Sequence, residues 1–362
     1  MASLLPSLLG GSRKKRSQFI SVDLGGRTSK AVLLERHGDK FVLKRYALLD
    51  APIFDKKISV DLLSDHLNSL AEALGNPTKY ISVAVGVADA VVRSVELPQL
   101  PADQMRTMLK MNHKNYMQQD LPNYVFDFHQ LPSSPQNSPA AKADPSGKAA
   151  AQKVRVLAAA TKQQLVDDLM KAASAANLVA DAMVPSLIGP INAFEQALPE
   201  VFKNETIALV DIGFKHTSVC VLDRGELGTN RTINIGGDQI TSGLADTMGI
   251  NYAEAEGIKV GMAPEVEAAL QMQILPLGRE IRASMDFFEH QFDRPVSQVY
   301  VSGATARSEM IIQMLHSELL VECKAWNPAA FLQLALSGQQ AVEIDHVGPQ
   351  LAVAIGTALS TY

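Results

Sequence analysis

One motif occurs twice in the chain. Residues Phe19 to Gly38 read FISVDLGGRTSKAVLLERHG. An apolar run ends in Asp23, a Gly25-Gly26 turn with Thr28, Ser29 and Lys30 follows, and a second apolar run leads to His37-Gly38. That pattern is a β-hairpin whose tip is made of small, polar and basic residues, suited to face something polar and anionic. Residues Ile207 to Gly225, IALVDIGFKHTSVCVLDRG, repeat it. With Asp23 set on Asp211, Gly25 falls on Gly213, Ser29 on Thr217, Leu34 on Leu222 and Arg36 on Arg224. Two copies this far apart imply two similar half-molecules facing each other.

The 362 residues, 47% of them hydrophobic, suffice for a sizeable core and two or more domains. A net charge of -5 argues against a general nucleic-acid binder. Cys220 and Cys323 have no metal-ligand spacing around them and fit a reducing compartment. No run of about 18 apolar residues offers a transmembrane helix. Residues 1–17, MASLLPSLLGGSRKKRS, place the apolar part before the basic part, the reverse of a signal peptide. They read as a flexible, solvated basic tail. The alternative is a peripheral membrane contact, with Leu4, Leu5, Leu8 and Leu9 dipping in and Arg13, Lys14, Lys15 and Arg16 meeting anionic lipid.

Along the chain, Phe41 to Leu49 reads as a third meander strand and Val60 to Leu74 as an amphipathic helix. Tyr80 to Val87 and Ala90 to Leu97 are strands. Pro98 to Gln119 is expected as one helix, whose methionines fit a core stripe or, alternatively, a partner face. Tyr124 to Leu131 and Val154 to Ala160 are strands flanking residues 132–153, which are rich in Pro, Ser and Ala and expected to be a disordered loop. A helix capped by Thr161 runs to Ala176. Val184-Pro185-Ser186 is expected to open a helix that Gly189-Pro190 breaks early. After the second hairpin, a strand over Thr229 to Ile235 turns at Gly236-Gly237 into a helix ending near Met248. Asn251 caps the next helix, and a long amphipathic helix covers Ile274 to Phe292. Val296 to Val301 is a strand running into Ser302-Gly303-Ala304 and a helix to Leu320. Leu351 to Leu359, with Gly356, is a buried helix packed closely.

Four pieces share one chemical logic. Each hairpin turn offers N–H groups and hydroxyls that could cradle phosphate oxygens, and Lys30 adds a cation. Asp23 and Asp211 end facing strands, so both carboxylates could hold the water shell of one Mg²⁺. Ser302-Gly303-Ala304 ends a strand and begins a helix, where a flat ring or phosphate can approach the backbone. Glu256 and Lys259 share a helical face and could reach a ribose. Each alone is a common turn or cap; the ordered set with its duplication is not.

The set resembles the actin–hexokinase superfamily, with Asp23 to Lys30 as first phosphate motif, Asp211 to Ser218 as second and Ser302 to Arg307 as adenosine motif. Within it the chain is similar to the PilM family, the cytoplasmic actin-like proteins of type IV pilus assembly. INIGGDQIT (Ile233 to Thr241), AEGIK (Ala255 to Lys259), LPQLP (Leu97 to Pro101) and Val154 to Leu178 carry the likeness. It implies an α/β, actin-like fold: two ribonuclease-H-like halves around a nucleotide cleft, with a small inserted α+β subdomain. The implied division is 18–78 with 161–205 for the first half, 79–160 inserted, 206–235 with 296–362 for the second half, and 236–295 as its helical subdomain.

The same resemblance implies ATP and Mg²⁺ as ligands. The metal falls to Asp23 and Asp211. The nucleotide falls to these two with Gly25, Gly26, Thr28, Ser29 and Lys30; to Gly213, Thr217, Gly236 and Gly237; and to Glu256, Lys259, Ser302, Gly303, Ala304 and Arg307. It further implies docking of the N-terminal cytoplasmic segment of a PilN-like membrane protein, contact with other platform and motor proteins, and a cytoplasmic place peripheral to the inner membrane. Self-association is left open. Phe214, Lys215 and His216 stand where the family has small residues, and Ala304 replaces a second glycine. No residue is placed to orient an attacking water, so the expectation is ATP binding with weak or absent hydrolysis. The rival readings are an FtsA-like membrane-tethered division protein and a sugar or acid kinase.

Overall fold

Strand β1 (Gln18–Asp23) is buried over its four central residues, as a strand covered on both faces has to be. The structure, a computed structural model, describes residues 16–54, 58–131, 153–261 and 266–361. β2 (Thr28–His37) and β3 (Lys40–Asp50) continue an antiparallel meander, and α1 (Val60–Ala73) buries Leu63, Leu67 and Leu70 in its core. β4 (Tyr80–Val85) lies parallel to β1 on the other side. The inserted layer follows: β5 (Ala90–Pro98), α2 (Ala102–Met111), α3 (His113–Met117), β6 (Tyr124–Gln130) and β7 (Lys153–Lys162). After α4 (Gln163–Ala175), β8 (Val179–Pro185) joins β4 in parallel. α5 (Ile188–Ala197) and α6 (Pro199–Asn204) lead across.

The second meander is β9 (Thr206–Ile212), β10 (Thr217–Asp223) and β11 (Glu226–Ile233). Helices α7 (Gly237–Met248), α8 (Tyr252–Gly261) and α9 (Glu267–Phe292) follow. β12 (Gln298–Ser302), a short 3-10 turn over Ala304–Arg307, α10 (Glu309–Leu319) and β13 (Glu322–Ala325) complete this half. The chain then returns to the first half. β14 (Gln333–Leu334) pairs with β3, and α11 (Gln339–Val347) and α12 (Ala352–Leu359) follow. α12 packs its small apolar residues into the core under the first sheet.

The sheets run β14-β3-β2-β1-β4-β8 and β11-β10-β9-β12-β13. Without β14 the two orders correspond strand for strand, each with three antiparallel strands and two parallel ones. The register agrees as well: Asp23 lies opposite Lys30 and Ala84, Asp211 opposite Ser218 and Ser302. The duplication in the sequence is therefore a duplication of the fold. A third sheet, β5-β7-β6, holds its own core with Leu97, Met105, Leu109, Met117 and Phe126. Most of the methionine stripe is core, although Met111 is exposed.

Several sequence expectations need correcting. The helix over Pro98 to Gln119 is two, α2 and α3, divided at Asn112. Thr161 caps nothing: it belongs to β7, and its hydroxyl donates to the Asp89 carbonyl at 2.8 Å. Val184-Pro185 ends β8 instead of opening a helix, and Gly189-Pro190 lie in the first turn of α5, where a missing N–H goes unnoticed. Asn251 does cap α8: its side chain accepts from the Glu254 N–H at 2.9 Å, and Glu254 accepts from the Asn251 N–H at 3.2 Å. The tail is described only from Arg16, and the loop expected over 132–153 lies outside the described residues apart from Lys153. Arg16 is held by Asp181 at 3.2 Å and stacks on Tyr80, at the edge of the first sheet.

Candidate functional site

β1 and β9 end side by side, so Asp23 and Asp211 open into one cleft of about 450 Å³ between the halves. The two carboxylates are held differently. Asp23 is paired with Lys30 at 3.1 Å across its own hairpin. Asp211 accepts from the Ser302 hydroxyl at 2.7 Å, which the strand register makes its neighbour. Burial raises the Asp211 pKa above the ordinary carboxylate value; the Ser302 hydrogen bond and Lys30 pull it down, and the Asp23 charge adds to the rise. Burial and the neighbouring Asp23 charge make Asp211 costly to ionise, a cost that a divalent cation beside it would offset.

The donor set suits Mg²⁺. Among the described residues no cluster of three or more His, Cys, Asp or Glu could cage a metal. Mg²⁺ characteristically takes one or two carboxylates, keeps water and completes its shell with phosphate oxygens. Asp23 and Asp211 would hold it, and it would supply charge neutralisation for a polyphosphate.

The expected phosphate loops line this cleft with Gly25, Gly26, Thr28, Lys30 and Gly213. They also touch each other: a Cβ on Gly26 would stand 3.2 Å from the Phe214 ring. The bulk of Phe214 therefore sits against the first loop. Lys215 is paired with Asp238. His216 lies 3.2 Å from Asn234 through Nδ1. The N–H groups that open α7 are taken by the second loop, Gly237 N–H to Gly213 O and Asp238 N–H to Phe214 O, both at 2.9 Å.

On the far wall, Glu256 and Lys259 line the cleft and are bonded to each other at 2.7 Å. Thr241 sits between them, 2.6 Å from Glu256 and accepting from Lys259 at 2.8 Å. Burial lowers the Lys259 pKa against the raising effect of Glu256. For Glu256 burial works upward, but the hydrogen bonds from Lys259 and Thr241 prevail and its pKa lies below the ordinary glutamate value. Gly237, Gly303 and Ala304 complete that side. Gly303 has φ of +92°, and a Cβ there would fall 2.2 Å from the Ile212 carbonyl, so only glycine lets β12 turn against β9.

Five expected residues do not line the cleft. Ser29 is buried on the opposite face of β2, with no hydrogen-bond partner for its hydroxyl among the described residues. Thr217 donates to the Ile235 carbonyl at 2.7 Å. Gly236 packs on the Phe214 carbonyl. Ser302 acts through Asp211, and Arg307 closes the 3-10 turn. Sequence reasoning missed Arg27, Phe54, Asp89, Thr305 and Gln350, which do line it. Arg27 carried a signal, a guanidinium at a hairpin tip; the others are recognisable only once the halves are assembled.

Paired meander sheets with an acid ending the first strand of each, across one cleft, define the actin-like fold. Residues 21–362 match the family described as type IV pilus assembly protein PilM. The chain belongs to that family. A solved PilM–PilN type IV pilus biogenesis complex is similar over 96% of this chain and 99% of that chain, with TM-score 0.79 and 20% identity. The ethanolamine utilization protein EutJ from Carboxydothermus hydrogenoformans is similar over 99% and 92%, with TM-score 0.56 and 15% identity. A 70-residue stretch is 36% identical to the cell division protein FtsA of Bacillus subtilis (strain 168). That stretch spans 19% of this chain and only 16% of FtsA.

Proposed function

We propose that this chain is a cytoplasmic, actin-like, ATP-binding scaffold of the type IV pilus assembly platform, which docks the N-terminal cytoplasmic segment of a PilN-like inner-membrane protein. The observation that carries the nucleotide part is the equivalent placement of Asp23 and Asp211 in one cleft, with Lys30 paired to Asp23 and its charge acting on Asp211. Membership of the PilM family, and the likeness to a chain of a PilM–PilN complex, support the partner. No helix among the described residues is long and apolar enough to cross a membrane.

ATP would place its phosphates at the two hairpin tips and its ribose toward Glu256, and Asp23 and Asp211 would hold its Mg²⁺. Turnover is weak in this reading. His216, beside the second hairpin tip, is hydrogen-bonded to Asn234, and the Phe214 ring packs against Gly26 between the two loops. Isothermal titration calorimetry tests the site. Wild-type protein is expected to bind ATP only with Mg²⁺, and Asp23→Ala or Lys30→Ala to abolish the heat; affinity unchanged in both variants would refute the assignment.

A further inference from the structure

Among the described residues, four Lys or Arg side chains line the cleft: Arg27, Lys30, Lys215 and Lys259. Three are committed within their own half. Lys30 holds Asp23, Lys215 holds Asp238, and buried Lys259 holds Glu256 and Thr241. Arg27 crosses from one half to the other. It rises from the tip of the first hairpin and reaches α8, with Nη1 3.5 Å from Glu256 Oε2. The same nitrogen donates to the Tyr252 hydroxyl at 3.3 Å, and the guanidinium lies 5.4 Å from the Tyr252 ring centroid. Tyr252 in turn donates to Asp238 at 3.0 Å. Hairpin tip and helical layer are thus tied by one flexible arm.

The arm is positioned to be exchanged. Its backbone is fixed, since the Arg27 carbonyl accepts from the Ala51 N–H at 2.8 Å, while its side chain remains 43% exposed. An ion pair in contact with water is worth little. Its acid is already satisfied, because Glu256 also accepts from Lys259 and Thr241. A phosphate, by contrast, offers a guanidinium two parallel charge-assisted hydrogen bonds. A ligand lying between the hairpin tip and Glu256 has to run along this side chain.

We propose that Arg27 is the phosphate-reading residue of the cleft, bridging the halves through Glu256 and Tyr252 until nucleotide phosphates take its guanidinium. This rests on the nucleotide reading above. When Arg27 moves to phosphate, the outer face of Glu256 is released toward the sugar, so phosphate capture and ribose capture are coupled through one side chain.

The test compares ATP with adenosine, which lacks the phosphates, on wild type, Arg27→Ala and Arg27→Lys, by ligand-observed NMR titration. Losing hydrogen bonds to a charged group is expected to weaken ATP about tenfold to a hundredfold in Arg27→Ala. Adenosine affinity is expected to stay the same or tighten, since Glu256 is no longer engaged. Arg27→Lys restores part of the ATP affinity, as a point charge without the planar fork. ATP affinity unchanged in Arg27→Ala, or adenosine affinity falling in parallel, overturns the assignment of Arg27 alone. Wild-type protein that binds neither ligand overturns the nucleotide reading and Arg27 with it.

Discussion

Asp211 shows at a single residue what the site requires. Its carboxyl titrates above the ordinary range because it is buried, with Ser302 and Lys30 only partly compensating and Asp23 pushing further. A raised acid favours the folded state while protonated; that contribution is fully present below the unfolded value near 3.8 and is lost as pH rises through the folded value. At neutral pH the ionised carboxylate therefore costs stability. Asp211→Asn is expected to raise the melting temperature of the ligand-free protein at pH 7, with the gain shrinking toward pH 3.8, while Mg²⁺-dependent ATP binding is lost. A lowered melting temperature at pH 7 would contradict this account. Asp23 and Asp211 were legible in the sequence because the motif is written twice. Ser29 does not line the cleft for a reason of parity: neighbours on a strand face opposite sides, so placing Lys30 in the cleft turns Ser29 away from it. Arg27 was visible as a guanidinium at the hairpin tip, but its bridging role was not, because its partners Tyr252 and Glu256 lie in the other half of the chain.

The packing of α5 against α12 depends on an absence of side chains. A Cβ on Gly356 of α12 would fall 1.7 Å from the Gly189 carbonyl of α5, and one on Gly189 would fall 2.6 Å from the Val353 carbonyl. Neither neighbour is a side chain that could rotate away. Gly356→Ala is expected to cost about 1–3 kcal/mol or more, read from denaturant midpoints, because backbone must part from backbone. Gly257→Ala on α8, where nothing lies within 4 Å, is expected to gain about 0.5–1 kcal/mol from helix propensity. Similar changes in both would mean that the crossing is not tight. The small residues around Gly356 made this helix readable in advance. β8 was not readable, because VADAMVP carries few large apolar residues and its strand character comes from pairing with β4. β14, at two residues, exists only because β3 offers it an edge.

Across the molecule, the inserted sheet leans on the second half. Arg155 meets Glu226 at 2.8 Å, and the Asn230 side chain donates to the Val92 carbonyl at 3.4 Å. A partner segment bound near that sheet would thus have a mechanical route to the lobe that carries Asp211. If the proposed scaffold role is right, immobilised peptide from the cytoplasmic N-terminus of a PilN-like protein should retain the full-length chain in a pull-down. No retention, with or without ATP, would shift weight to the division-protein reading. The halves themselves were visible in the sequence as a repeat. The path of the chain was not: nothing in residues 326–361 announces that Trp326, Leu332, Ile344 and Ile355 bury themselves with β1 and β2.

That return has a temporal consequence. During synthesis the first sheet emerges early, but its outermost strand and the helix that seals its underside are made only after the second half. At about 5–20 residues per second, the apolar underside of β1 and β2 waits on the order of tens of seconds for α12. Until then, the part of this core that α12 completes lacks the cover that the finished protein gives it, so the nascent chain is one that ribosome-associated chaperones would be expected to hold.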